Sequence, residues 1–252
     1  MIETVIDSLS HLGLDRGTSI LLAHDAMPPL DMECEDPEKW GHIVNVGERY
    51  DDYFANLSKS KSVRRARAKI LRAPSWGHLS GTIKYALTFV KSKYVLIMQH
   101  DLPFIRAIPL GTCIDAMEAH PRIRHLRFNW RRNIPAGYDA SGPRGDAKQE
   151  RPEFFSQLQF LLPNASHFNV MQTLGWSDIN HLCRTTYYEE VILPLLDGRK
   201  TAPEHLVNKF ACKATHGLFG TYIYDSFESP PAIKHLDGRL FVDSSSNASK
   251  SL

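Results

Sequence analysis

The sequence predicts a single α/β domain in which a mixed, mostly parallel sheet is flanked by helices. Three observations carry this prediction: short apolar runs that end at polar residues, helix-periodic segments between those runs, and a length of 252 residues with 42% hydrophobic and 23% charged residues. Strands that alternate with helices in units of roughly 30 residues are typical of parallel β-α-β connections. We expect the domain to span residues 1–243 and to be followed by a flexible Ser-rich tail over 244–252.

The N-terminal segment predicts a helix followed by a strand. Apolar residues recur at helical spacing over the first dozen positions and stop at Gly13, which predicts an amphipathic helix with a glycine end. The next apolar run, Ser19–Ala23, predicts a buried strand. This strand delivers two polar residues, His24 and Asp25, at its carboxyl end.

The same pattern continues through the first half. Lys69–Arg72 predicts a second strand, Leu79 to Val90 a helix, and Tyr94–Met98 the most apolar strand of the chain. That strand ends at Gln99-His100-Asp101. Ligands of open α/β sheets bind beyond the carboxyl ends of the strands, so His24-Asp25 and Gln99-His100-Asp101 are the first candidates for a functional site.

The second half predicts shorter elements in a less regular order. We expect helices over residues 112–119, 186–196 and 204–214, and strands over residues 124–128, 160–162, 169–171 and 220–224. Residues 134–152 are rich in Gly, Pro and charge and show no periodicity. A stretch of this kind predicts a functional loop near the site.

Composition and motif content exclude several classes of protein. Thirty Lys and Arg against 28 Asp and Glu leave a net charge of +2, which is too small to indicate general nucleic-acid binding. The four cysteines form no Cys-x-x-Cys pair, which excludes zinc ribbons and thioredoxin-like motifs, and we expect buried thiols. Neither common glycine-rich phosphate-binding loop follows a strand. Without a signal peptide or a membrane-length apolar run, we expect a cytoplasmic protein.

The segment Gln99-His100-Asp101 places an imidazole and a carboxylate directly after a hydrophobic strand. Both groups bind divalent cations, and a cation would supply the positive charge that the missing phosphate-binding loops do not. The structural alternative is an Asp that caps the strand end and a His that forms a local hydrogen bond.

At these residues the chain resembles the nucleotide-sugar glycosyltransferases of the GT-A fold. In that family the strand before the acceptor half ends in an Asp-any-Asp motif, and here Gln99-His100-Asp101 stands in its place with one carboxylate. The resemblance implies a GT-A-like sheet, a donor half over about residues 1–130 and an acceptor half over 131–243. It also implies that Asp101, with His100, holds Mn²⁺ or Mg²⁺ against a nucleotide diphosphate.

The resemblance extends to the contacts with the donor. Asp25 matches the acidic residue of the first strand that contacts the nucleoside, and His24 precedes it. The segment from Pro74 to Val90 resembles the glycine-containing helix that leads into the metal strand, so Lys84 would face the phosphates. Gln99 would complete the donor-binding residues.

The resemblance also implies a catalytic base at the start of a helix in the second half. Glu204 matches that position, although an acid in a first helical turn is also explained by the helix dipole. Asp178 is the rival base. Where family members supply a C-terminal metal ligand, we place His216 ahead of His235.

The sequence therefore predicts an enzyme, a metal-dependent hexosyl- or pentosyltransferase that moves a sugar from a nucleotide sugar to a glycan or glycoconjugate acceptor with inversion. No nucleic-acid partner is expected. One alternative is a nucleotide-sugar nucleotidyltransferase, but the segment after the first strand is neither Gly-rich nor basic. The other is a non-enzymatic RNA-binding module that uses the basic stretches 58–69 and 121–132.

Overall fold

A computed structural model describes residues 1–15, 17–27, 46–130, 157–226 and 229–236. This part of the chain is a mixed α/β structure with a two-stranded and a six-stranded sheet. The expected loop over 134–152 and the expected tail over 244–252 lie outside the described residues.

The N-terminal half begins with a short helix, as its periodicity predicts. Helix α1 (Ile2–Ser8) continues into a 3-10 segment (Leu9–Leu12), and Gly13 ends it at a φ of 59°, in the left-handed region that glycine favours. The elements that follow are β1 (Leu21–His24), α2 (Val46–Lys59), α3 (Lys61–Arg65), β2 (Lys69–Arg72), α4 (His78–Leu87), β3 (Tyr94–Ile97), α5 (Leu110–Ala119) and β4 (His125–Arg127).

The described residues of the second half form four strands and, apart from one 3-10 turn, three helical segments. The strands are β5 (Gln157–Leu161), β6 (His167–Gln172), β7 (His181–Arg184) and β8 (Thr221–Tyr224). Helix α6 joins Thr185–Tyr187, a π-helical turn at Tyr188–Ile192 and Leu193–Leu196; α7 is Pro203–Val207 and α8 is His216–Phe219. The helix expected over residues 204–214 is therefore too long, because α7 ends at Val207 and a 3-10 turn occupies Lys213–Thr215.

The strand order shows a mixed sheet, as predicted, but most of the strand pairs are antiparallel. Strands β1 and β2 pair in parallel, and the six-stranded sheet has the order β3-β7-β4-β8-β6-β5. Among the described strands, β4 and β8 also pair in parallel, whereas β3-β7, β4-β7, β6-β8 and β5-β6 are antiparallel. The expectation of mostly parallel pairs was wrong because β7 was not recognised as a strand and because β5 and β6 pair antiparallel with their neighbours.

Strand β7 determines the geometry of the site. It lies between β3 and β4 and runs against both, with His181 opposite Ile97 on one side and Arg127 on the other. Strands β3, β4 and β8 consequently run in one direction. The residues that precede β7 therefore lie at the same edge of the sheet as the residues that follow β3 and β4, and we call this the carboxyl edge.

Two large apolar clusters cover the faces of the six-stranded sheet. One joins α5 with β4, β6 and β8, and the other joins α4 with α6 and α7. Cys113 and Cys183 are buried within these clusters, as expected, whereas Cys212 is exposed. Within the described ranges, no helix is long and apolar enough to cross a membrane.

Candidate functional site

The carboxyl edge collects the polar residues that the sequence singles out. Asp25 follows β1, Gln99 and Asp101 follow β3, and Asp178 lies just before β7. The ends of β1 and β3 come close together, because His100 interacts electrostatically with His24 and, after burial, is the second cause that lowers the pKa of His24. The structure thus brings the two strand ends into one region.

Asp25 connects the end of β1 to the start of α4. Its carboxylate oxygen Oδ1 accepts hydrogen bonds from the backbone N–H of Ala26, at 2.9 Å, and of Gly77, at 2.8 Å. The hydroxyl of Tyr50 on α2 donates to the carbonyl oxygen of Asp25. His78, the first residue of α4, has a φ of 57°, which is rare for a residue with a side chain. The carboxylate of Asp25 is therefore held in place by a closely constrained helix start.

Asp101 is the residue at the edge with an unsatisfied carboxylate oxygen. Its Oδ2 lies 3.3 Å from Nε2 of His235, and its backbone oxygen accepts a hydrogen bond from Leu236 at 2.7 Å. Its Oδ1 is buried and has no hydrogen-bond partner among the described residues. A buried, unpaired carboxylate oxygen is costly, and such groups in native structures commonly mark the place of a ligand or an ion.

His235, rather than His216, is the histidine that the structure places beside Asp101. The ring of His216 contacts Gln172 at 3.4 Å and the carbonyl oxygen of Thr221 at 3.1 Å. Thr221 begins β8, so His216 lies at the sheet edge opposite to the carboxyl edge. His235, which the sequence analysis places behind His216, is therefore the histidine that lies next to Asp101.

Lys84 and His100 are both exposed. Lys84 lies in the last turn of α4, seven residues and about 10 Å along the helix from Gly77, so the structure does not bring it to Asp25. His100 lies in the turn after β3 and is near His24. Of the predicted donor contacts, His24, Asp25 and Gln99 thus share one edge, whereas Lys84 is apart from them.

The two candidate bases contact each other. Oε2 of Glu204 accepts a hydrogen bond from Ser177 Oγ at 2.9 Å and from the backbone N–H of Asp178 at 3.4 Å, so the two acidic residues are neighbours. Nε2 of Gln99 donates to Oδ1 of Asp178 at 3.1 Å. Burial, followed by the charge of Glu204, raises the pKa of Asp178 above its ordinary range.

Two further buried residues support this arrangement, and the sequence analysis proposed neither as a site residue. The side-chain amide of Asn180 accepts a hydrogen bond from the Gln99 backbone N–H at 2.9 Å and donates to the carbonyl oxygen of Leu102 at 2.6 Å, which fixes the turn that carries Asp101. Arg127 on β4 is fully buried, and burial lowers its pKa to about 9 while the charge of Glu204 opposes this shift. A buried arginine implies an anionic partner.

Behind the acid pair lies a buried histidine pair, His125 and His181, with ring centroids 4.5 Å apart. Nδ1 of His181 donates to the carbonyl oxygen of Ile179 at 2.6 Å, and its Nε2 accepts from the hydroxyl of Tyr188 at 2.9 Å. Burial lowers the pKa of His181 to about 4, and burial, His181 and Arg127 lower the pKa of His125. Both rings are therefore neutral in the folded protein near neutral pH.

This histidine pair predicts a loss of stability in acid. The unfolded chain protonates each imidazole near pH 6.5, whereas folded His181 resists protonation down to about pH 4, so the unfolded state binds more protons across that window. The free energy of unfolding should fall as the pH decreases from 6.5 to 4, by at most about 1.4 kcal/mol per pH unit for each histidine. The raised pKa of Asp178 acts in the opposite direction above its ordinary value.

Denaturant unfolding of the wild type and of His125→Gln at several pH values isolates the contribution of His125 to the pH dependence of the free energy of unfolding. Gln can still donate to the carbonyl oxygen of Ser177, which Nε2 of His125 contacts at 3.0 Å. We expect a smaller pH slope for this variant and an unchanged slope for His205→Gln, which alters an exposed histidine. Equal slopes for wild type and His125→Gln would contradict the assignment.

The described residues contain no cluster of three or more His, Cys, Asp and Glu side chains that could hold a metal ion. Among the described residues, Asp101 and His235 would supply two ligands at most, so a cation held here would need further ligands, such as oxygen atoms of a bound substrate and water. The basic stretch over 58–69 forms the end of α2 and the exposed α3, away from the carboxyl edge, and Arg65 pairs there with Asp7 at 2.5 Å.

The sequence matches no protein-family model and no curated protein. Among solved structures, the chain is similar to the crystal structure of S. aureus TarS, with 13% sequence identity and a TM-score of 0.47. The similarity covers 94% of this chain and 34% of the other, so this chain spans about a third of the length of that protein.

Proposed function

We propose that this protein is a glycosyltransferase that moves a sugar from a nucleotide diphosphate sugar to a hydroxyl of a glycan or glycoconjugate. The observation that carries the proposal is the buried, unpartnered carboxylate oxygen of Asp101 beside His235, at the sheet edge that also presents Asp25 and the acid pair Asp178 and Glu204. Such a transfer needs two groups: a cation site that stabilises the leaving diphosphate, and a proton acceptor for the acceptor hydroxyl.

Asp101 and His235 would hold the divalent cation. A carboxylate and an imidazole suit Mn²⁺, and Mg²⁺ would depend more on the carboxylate and on oxygen ligands from the substrate. The unpartnered Oδ1 of Asp101 is the atom of this chain that fits such an ion. When bound, the ion supplies the positive charge that stabilises a leaving diphosphate.

Asp25 is placed to bind the nucleoside of the donor. It follows β1 at the carboxyl edge, and its Oδ1 is anchored by two backbone N–H groups. Among the described residues, the other carboxylate oxygen has no hydrogen-bond partner, so it could accept hydrogen bonds from the hydroxyl groups of a ribose. The acid pair then acts on the acceptor hydroxyl, which gives inversion at the sugar carbon if that hydroxyl displaces the diphosphate directly.

Asp25→Asn should weaken donor binding more than it slows transfer. Asn keeps one oxygen that can accept from Gly77 and Ala26 but loses the charge, so the helix start is retained. A hydrogen bond to a charged group is worth about 1.5–3 kcal/mol, which corresponds to a rise in donor Kd of roughly tenfold or more. The rate at saturating donor should change less, because the contact persists from ground state to transition state.

Donor titration and single-turnover kinetics measure the two quantities separately. Asp52→Asn alters an exposed acid on α2 and is the matched control. An Asp25→Asn protein with unchanged donor affinity would refute the nucleoside contact.

A screen of nucleotide sugars for donor hydrolysis and transfer, with and without Mn²⁺, tests the proposed function. We expect at least one nucleotide sugar to be consumed in a metal-dependent reaction that releases the nucleoside diphosphate. Release of pyrophosphate from a sugar phosphate and a nucleoside triphosphate would instead indicate a nucleotidyltransferase. Metal-independent RNA binding that falls steeply with salt, without turnover, would favour the binding module.

A further inference from the structure

The contact between Asp178 and Glu204 constrains how many protons the two side chains hold. Oε2 of Glu204 lies 3.4 Å from the backbone nitrogen of Asp178, so the two carboxyl groups are neighbours in one partly buried place. Two neighbouring carboxylates disfavour each other's charge, so one of them keeps its proton to a higher pH than an isolated acid does.

The surroundings of each side chain indicate which one keeps the charge. Oε2 of Glu204 accepts from the hydroxyl of Ser177 and from a backbone N–H, and Glu204 interacts electrostatically with the buried guanidinium of Arg127. These groups stabilise a carboxylate on Glu204. Among the described residues, the groups that donate to the Asp178 carboxylate are neutral: the side-chain amide of Gln99 and the backbone N–H of Asp178 itself. The proton therefore belongs on Asp178.

We propose that Asp178 and Glu204 act as a one-proton pair, in which Glu204 stays a carboxylate and positions Asp178, while Asp178 takes up and releases the proton. The catalytic part of this inference rests on the proposed function. Transfer starts from the form in which Asp178 has released its proton to solvent. The acceptor O–H bond then breaks, and its proton moves to the Asp178 carboxylate, which restores the one-proton pair. The acceptor oxygen forms a bond to the sugar carbon, and the bond from that carbon to the diphosphate breaks, with the electron pair leaving on the diphosphate.

The charged and titratable groups around Asp178 come from three elements. Glu204 on α7 raises its proton affinity, Arg127 on β4 compensates the charge of Glu204, and Tyr188 in the π-helical turn of α6 interacts with Asp178 while remaining neutral, since burial raises the pKa of that phenol. Gln99 after β3 lowers the proton affinity of Asp178 through its hydrogen bond. Single substitutions can therefore raise or lower the proton affinity of Asp178.

The proton on Asp178 is measured without any substrate. We would label the protein with ¹³C at the Asp carboxyl carbons, follow their NMR shifts with pH, and assign Asp178 by its absence in Asp178→Asn. The Asp178 signal should titrate above the ordinary range of aspartate. Glu204→Gln should lower the midpoint by more than one unit because it removes the neighbouring charge, whereas Gln99→Leu should raise it because it removes a hydrogen bond to the charged form.

Glu190→Gln, which alters an exposed acid on α6, is the control and should leave the midpoint unchanged. Circular dichroism of each variant verifies that it is folded. Should Glu204→Gln fail to fold, Gln99→Leu still tests the pair through the opposite shift. The proposal that the two residues share one proton would be contradicted by an Asp178 midpoint in the ordinary range of aspartate, or by a midpoint that neither variant changes.

Kinetics then separates the two roles. In Glu204→Gln, the acidic limb of the kcat profile should shift to lower pH by more than one unit while transfer persists. In Asp178→Asn, transfer should fall by about 10²-fold or more, the usual contribution of a general base, with donor affinity retained. The reverse pattern would make Glu204 the base and overturn the assignment. If no donor is turned over by the wild type, the proposed function fails, and the NMR titration alone decides whether the pair exists.

Discussion

Asp101→Asn should lower the rate of sugar transfer by about 10²-fold or more, because a divalent cation contributes several kcal/mol to the stabilisation of a leaving diphosphate. The substitution keeps the shape of the side chain, and an amide can still contact His235. It removes the negative charge on the carboxylate oxygen that has no partner among the described residues.

The stability of the same variant should not fall. In the protein without a ligand, burial of an unpaired carboxylate oxygen costs free energy, so its replacement should leave the free energy of unfolding unchanged or raise it. Loss of activity together with equal or higher stability is the result that distinguishes a ligand-binding carboxylate from a structural one. A structural Asp101 would give the opposite outcome, with lower stability.

Three measurements make the test decisive: transfer rate against Mn²⁺ concentration, Mn²⁺ binding by calorimetry, and denaturant unfolding. Asp115→Asn, in an exposed position on α5, is the matched control and should behave as the wild type. His235→Gln should weaken Mn²⁺ binding without abolishing it, since Asp101 remains. Full turnover of the wild-type protein in excess chelator would refute the metal site.

The sequence predicted the strand ends of the site because the signal there is local. Each apolar run that ends at a polar residue marks where a buried strand reaches solvent, and this located Asp25 and Asp101 correctly at the ends of β1 and β3. The helix-periodic segments located α4, α5 and α6 for the same reason, with bounds that differ by a few residues.

The contacts between distant segments could not be predicted in this way. Strand β7 is a short segment, HLCR, and its polar residues do not predict a central strand. His181 is nevertheless fully buried, because the Tyr188 hydroxyl and a backbone carbonyl form hydrogen bonds with both nitrogens of its ring. The pairing of Asp101 with His235 spans most of the second half of the chain, and nothing local distinguishes His235 from His216.

The acid pair also shows the difference between what local sequence predicts and what contacts between distant segments decide. Asp178 and Glu204 were identified individually as rival bases, but their contact depends on the approach of α7 to the turn before β7. Once they touch, the question of which residue is the base becomes a question about one shared proton. The buried Arg127 belongs to the same unit and was not proposed as a site residue, because its role appears only when the charge of Glu204 is placed beside it.

The close approach of Gly77 to Gly81 is another feature that only the structure shows. It predicts that Gly77→Ala and Gly81→Ala change the free energy of unfolding in opposite directions. A Cβ atom on Gly77 would lie 2.8 Å from the backbone Cα of Gly81, closer than real Cβ atoms come, whereas a Cβ on Gly81 would meet nothing within 4 Å. Backbone cannot move aside as a side chain can, so Gly77→Ala must displace the first turn of α4.

Gly77→Ala should therefore lower the free energy of unfolding by about 1–3 kcal/mol, the usual cost of overpacking. It should also weaken donor binding, because the Gly77 N–H that anchors Asp25 moves with the helix start. Gly81→Ala should raise the free energy of unfolding by up to about 1 kcal/mol, since alanine favours a helix interior over glycine, and should leave donor affinity unchanged. Denaturant unfolding and donor titration of both variants measure these opposite signs. If both are stabilised alike and bind the donor as the wild type does, the start of α4 does not position Asp25, and the nucleoside contact would have to be sought elsewhere on the carboxyl edge.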